Sequence, residues 1–121
     1  MPRSTDPTLA MRERAQQLPG VTSGVSCNQS SFRVGTTAFF FVGPGVKGIG
    51  YKAMFKLEAS RAEAEGLAAD EPERYEVGGT AWVTVRFTAE RPMPKRRWEA
   101  WLRESHELSL SKGKQPLRKK A

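Results

Sequence analysis

The feature that most constrains the fold is a strict alternation of side-chain character in two segments of the chain. In the first segment, Tyr51, Ala53, Phe55 and Leu57 alternate with Lys52, Met54 and Lys56. In the second, Ala81, Val83, Val85 and Phe87 alternate with Thr80, Trp82, Thr84 and Arg86. Because successive side chains of a strand point to opposite faces, this period predicts a sheet with one buried face and one open, basic face.

The remaining segments supply further strands and three helices. Strand-like runs also occur at Ser31–Val34, Ala38–Val42 and Arg74–Val77, with hairpin signals at Gly35-Thr36 and Gly78-Gly79. Helices are predicted at about Thr8–Gln17, from a capping box at Ser60 to about Ala69, and from Pro94 to about Leu110. This order predicts an α+β fold, a single domain in which helices pack on one face of an antiparallel sheet.

The predicted domain spans residues 8–110, with an N-terminal extension at 1–7 and a basic, disordered tail at 111–121. The covered face of the sheet is predicted to hold Phe55, Val83, Val85 and Phe87, packed by Leu67, Trp98, Trp101 and Leu102. The open face then carries Arg33, Lys52, Lys56 and Arg86, with Met54 and Trp82 among them. Either Phe39 or Phe41 is expected to join these two apolar residues.

Charge is sorted along the chain. Residues 21–57 contain Arg33, Lys47, Lys52 and Lys56 but no Asp or Glu, and the whole chain has a formal net charge of +7. A surface of this kind favours an anionic partner such as nucleic acid, although it says nothing about the fold. The glycine-rich segment Gly43–Gly48 lies between two strands, so it is predicted to be a loop whose Lys47 reaches a phosphate as a wing tip, not a dinucleotide site.

The sequence contains no arrangement of residues that indicates catalysis or metal binding. Cys27 and His106 are the only residues of their types, which excludes an internal disulfide and a multi-cysteine metal site. No paired carboxylates or nucleophile–base arrangement is visible, so we expect a non-enzyme without cofactors. The N-terminus lacks a signal peptide, and Ala38–Val42 is the longest apolar run, so we expect a cytoplasmic protein that does not enter membranes.

Several short motifs resemble the MmcQ/YjbR family. They are Leu18-Pro19-Gly20-Val21-Thr22, Ser31-Phe32-Arg33-Val34-Gly35, Trp82-Val83-Thr84-Val85-Arg86 and Glu104-Ser105-His106-Glu107-Leu108. The resemblance implies a frataxin-like (CyaY-like) fold and a double-wing type of DNA binding, with Arg33, Trp82 and Arg86 at matching positions. The His-Asn-Lys segment that many members place before the tryptophan is absent, because Val77–Ala81 stands there.

These observations leave three hypotheses for function. In the first, the open face binds the DNA phosphate backbone through Arg33, Lys47, Lys52, Lys56 and Arg86, with Trp82 as an apolar contact. In the second, Phe39 or Phe41, Met54 and Trp82 line a cup that binds a planar small molecule. In the third, the same surface binds an acidic protein.

Overall fold

The computed structural model describes residues 7–26, 29–45, 50–79 and 81–118. The helices are α1 (Thr8–Gln17), α2 (Arg61–Asp70) and α3 (Lys95–Arg118). The strands are β1 (Val21–Ser26), β2 (Gln29–Val34), β3 (Thr37–Pro44), β4 (Tyr51–Lys56), β5 (Tyr75–Val77) and β6 (Trp82–Phe87). The six strands form one sheet in the order β1-β2-β3-β4-β6-β5, and every neighbouring pair is antiparallel. The predicted α+β class is confirmed.

Both predicted hairpins are present. β2 and β3 are joined by Gly35 and Thr36, and Gly35 has a φ of 62°, which a residue without a Cβ adopts at little cost. β5 and β6 pair with Val77 opposite Val83, so the Gly78-Gly79 segment lies in their connection. The edge strand β1 was not predicted, because Ser and Gly dilute its two valines below a recognisable strand pattern.

The core lies between the helices and one face of the sheet, as the alternation predicts. The predicted residues Phe55, Val83, Val85, Phe87, Trp98, Trp101 and Leu102 are all buried, and Leu67 packs at the margin of this core. The ring of Trp101 meets those of Phe55 and Tyr75 edge-on, with centroids 5.8 and 6.2 Å away. Its indole N–H donates to Glu63, so the polar atom of this buried side chain has a partner.

A β-bulge in β3 departs from simple alternation. Phe32 pairs with Phe40 and Arg33 with Ala38, which leaves Phe39 as an extra residue. Phe39 and Phe40 are therefore both fully buried: Phe40 meets the ring of Phe55, and Phe39 meets the ring of His106 on α3. The expectation that Phe39 joins the open face is wrong, because the bulge turns its side chain towards the helices.

Helix α3 continues to Arg118, beyond the predicted end at Leu110. The division into an extension, a domain and a tail stays a prediction. Cys27, Lys47 and residues 119–121 lie outside the described residues. Within the described ranges, no helix is long and apolar enough to cross a membrane.

Candidate functional site

The sheet face opposite the helices is the candidate site, and we call it the open face. It carries Arg33, Phe41, Lys52, Met54, Lys56, Glu76, Trp82, Thr84 and Arg86. Strand pairing places Lys52 directly opposite Arg86, and Lys56 directly opposite Trp82. Five strands, β2 to β6, therefore bring to one surface residues that are far apart in sequence.

The centre of the open face is apolar. Phe41 pairs across the sheet with Met54, and its ring contacts that of Trp82 with centroids 5.4 Å apart. The ammonium group of Lys56 lies 5.4 Å from the centre of the Trp82 ring, a cation–π contact. Because Phe41 and Lys56 both pack on the indole, the aromatic group forms a ridge on the sheet, and only part of Trp82 is accessible for stacking.

The cations of this face differ in their surroundings. Within the described part of the chain, Arg33 and Lys52 form no salt bridge, and Arg33 is exposed. Arg86 is paired: its Nη2 lies 2.5 Å from Glu76 Oε1. Sequence reasoning missed Glu76, although the inward-facing Tyr75 and Val77 on either side of it already indicate that this carboxylate points outward.

A second feature lies at one end of the sheet, where a cleft of about 540 Å³ adjoins the open face. Lys52 and Arg86 border both, and the cleft adds Arg74 and Arg91 from the connections that flank β5 and β6. Tyr51 supplies an aromatic wall. Neither arginine was singled out in the sequence, because nothing local indicates that residues 50–52, 73–74 and 86–91 meet in space.

The single histidine, His106, has a packing role in the structure. His106 is 4% exposed, and its Nε2 lies 2.9 Å from the carbonyl oxygen of Pro19, so it joins α3 to the segment between α1 and β1. The described residues contain no cluster of three or more His, Cys, Asp or Glu side chains that could hold a metal ion.

A comparison with models of protein families identifies the family to which this chain belongs. The YjbR family model matches residues 16–108, which is most of the chain and includes every element from the end of α1 to most of α3. The chain belongs to the YjbR family. The resemblance noted from the short motifs is thereby confirmed, and Arg33, Trp82 and Arg86 of the YjbR-like motifs all lie on the open face. Searches among curated proteins and among solved structures gave no significant match.

Proposed function

We propose that this YjbR-family protein binds duplex DNA by laying the open face against the phosphate backbone, without catalysing a reaction. The observation that carries the proposal is the convergence of Arg33, Lys52, Lys56 and Arg86 on one face by strands β2, β4 and β6. Among the open-face residues named above, Glu76 is the one acidic side chain, so positive charges outnumber negative charges on this face.

The dimensions of the sheet suit a duplex. β2 and β6 are separated by three strand spacings of about 4.8 Å each, so the cations spread over a width comparable to the major groove, about 12 Å. Phosphates on either side of a groove then lie within reach of flexible lysine and arginine side chains. Such contacts carry no base information, so the expected binding is electrostatic and largely independent of sequence.

The test is the salt dependence of binding to a labelled duplex. Three to four phosphate contacts give a slope of log K against log salt of roughly −2.7 to −3.6. Replacing both Lys52 and Lys56 with Ala should reduce the magnitude of this slope by about 1.8. The matched control is Lys95→Ala/Arg96→Ala, which removes the same charge from two exposed positions at the start of α3.

Absence of binding at low salt would end this proposal, as would binding whose slope is the same in both double variants. The small-molecule alternative makes a different prediction: Trp82→Ala would abolish binding of a planar compound while the salt slope stayed shallow. The structure offers less for that alternative, because Phe41 and Lys56 already pack on the Trp82 ring.

A further inference from the structure

The cleft at the end of the sheet has the composition of a site for a small organic anion. It lies beside Gly45 and Gly50 at the two ends of the β3–β4 connection, the start of β4 and the end of β6. Its volume of about 540 Å³ falls within the range typical of small-molecule sites, which is about 300–1,000 Å³. Four of its lining residues are Lys or Arg and one is Glu, so the lining favours a negative ligand.

The four cations are not equally available to a ligand. Arg74 is held in place, because one guanidinium nitrogen lies 3.1 Å from Glu71 and another donates to the carbonyl oxygen of Arg91 at 3.0 Å. Arg86 is engaged by Glu76. Lys52 forms no salt bridge within the described ranges, and Arg91 is 68% exposed, with only a long 3.7 Å ion pair to Glu71. Lys52 and Arg91 are therefore the side chains best placed to bind an anion.

The rest of the lining consists of two aromatic residues, two glycines and a threonine. The Tyr51 ring stacks on Phe87 with centroids 5.8 Å apart and an interplanar angle of 28°, which fixes the orientation of the tyrosine. Gly50 has a φ of 65°, and a Cβ there would lie 2.8 Å from the carbonyl oxygen of Phe87. The chain thus approaches β6 too closely for any side chain at this position, and the cleft wall beside Tyr51 is built by backbone.

We propose that this cleft binds a free 5′-nucleotide, whose planar base packs on Tyr51 and whose phosphate is bound by Lys52 and Arg91. The aromatic wall and the two available cations occur together only at this end of the sheet among the described cavities. The inference does not rest on DNA binding, since Arg91 lies outside the proposed DNA face, although Lys52 is shared by both sites.

Calorimetric titration with adenosine 5′-monophosphate tests the site in the full chain. Arg91→Ala should weaken binding about tenfold, the effect of one charge-assisted hydrogen bond, while retaining the backbone carbonyl that Arg74 uses. The matched control is Arg103→Ala, an exposed arginine of α3 that lines a separate cavity. Glu73→Gln should instead tighten binding about threefold, because it removes a like charge from the cleft lining.

Adenosine and inorganic phosphate, each offering half of the ligand, should bind at least about tenfold more weakly than the nucleotide. Equal binding of inorganic phosphate and the nucleotide would overturn the proposal, as would no nucleotide binding or equal effects of Arg91→Ala and Arg103→Ala. A 5′-phosphorylated oligonucleotide that binds more tightly than the nucleotide would assign the site to strand ends instead. Arg33→Ala should weaken duplex binding and leave nucleotide binding unchanged, which separates the two proposed sites.

Discussion

Ser105 is the residue through which the helical layer holds the irregular part of the sheet. Its hydroxyl accepts a hydrogen bond from the backbone N–H of Lys56 at 2.7 Å and donates one to the carbonyl oxygen of Phe39. These backbone groups lie beside the β3 bulge, just beyond Phe40 and Phe55, where the pairing of β3 with β4 ends. One side chain of α3 therefore satisfies two backbone groups, one buried and one partly buried, and fixes the base of Lys56 on the open face.

Ser105→Ala is expected to lower the free energy of unfolding by about 2–3 kcal/mol, because both backbone groups lose their partner. Urea denaturation measures the change. Ser109→Ala is the matched control: this hydroxyl is also buried on α3, and it has no hydrogen-bond partner in the described structure. Its removal should cost little, so equal losses in the two variants would contradict the bridging role.

The placement of Phe39 shows where residue-level prediction from the sequence stops. Alternation gave the correct face for every tested residue of β4 and β6, because both strands pair regularly. In β3 the same rule fails at Phe39, since the bulge adds a residue and shifts the period. The carbonyl oxygen of Phe39 at the bulge accepts a hydrogen bond from Ser105, which lies 66 positions further along the chain, and no local pattern could reveal that partnership.

At the scale of elements, the start of α2 is capped by another helix. The sequence predicted a local capping box at Ser60, but that side chain makes no cap hydrogen bond to the helix. Instead, Glu104 of α3 accepts hydrogen bonds from the backbone N–H of Glu58 at 2.6 Å and of Ser60 at 3.2 Å. Glu63, the expected partner within the box, accepts from Trp101. The prediction of a helix here was right, and the predicted cap was wrong.

The Glu104 cap makes folding stability depend on pH. Burial raises the pKa of this carboxyl, but hydrogen bonds from the Ser60 side chain and from the backbone of Glu58, Ser60 and Ala59 outweigh it, so the pKa falls below its ordinary value of 4.5. A carboxylate with a lowered pKa stabilises the fold above its unfolded-state pKa. That stability is lost as the pH falls through the folded-state pKa.

Glu104→Gln should therefore reduce the free energy of unfolding by about 1 kcal/mol at pH 7, and the deficit should shrink below about pH 4.5. Denaturation of both proteins at several pH values measures this difference. Glu107→Gln, which changes an exposed carboxyl of the same helix, serves as the control and should follow the wild-type pH profile. A deficit that stays constant down to pH 3 would argue against the cap.

At the scale of the whole molecule, folding redistributes charge in a way that the linear sequence only partly shows. Strand alternation predicted that Arg33, Lys52 and Lys56 of the acid-free stretch 21–57 share one face, and all three lie there. The stretch does not include Glu76, which lies on the same face and was missed, and it did not show that Arg91 would adjoin Lys52 in the cleft. Glu76 reaches Arg86 through the β5–β6 hairpin, whereas Arg91 reaches the cleft through the connection after β6, whose course no local pattern specifies.

The role of Glu76 on the open face can be tested by removing its charge. Glu76→Gln releases Arg86 from the pair and takes a negative charge off the face, so duplex DNA should bind more tightly. If Arg86 then contacts a phosphate, the salt slope should steepen by up to about 0.9. Fluorescence titration of a labelled duplex across a range of salt concentrations gives both quantities.

The control for this change is Glu65→Gln. Glu65 is 57% exposed and paired with Arg61 on α2, and Glu76 is 60% exposed and paired with Arg86, so the two substitutions alter net charge and local ion pairing alike. If the open face binds DNA, only the Glu76 substitution should steepen the salt slope, because α2 packs with the other helices on the covered side. An equal gain in both variants would mean that net charge alone attracts the duplex, and that the arrangement of cations on the open face does not determine where it binds.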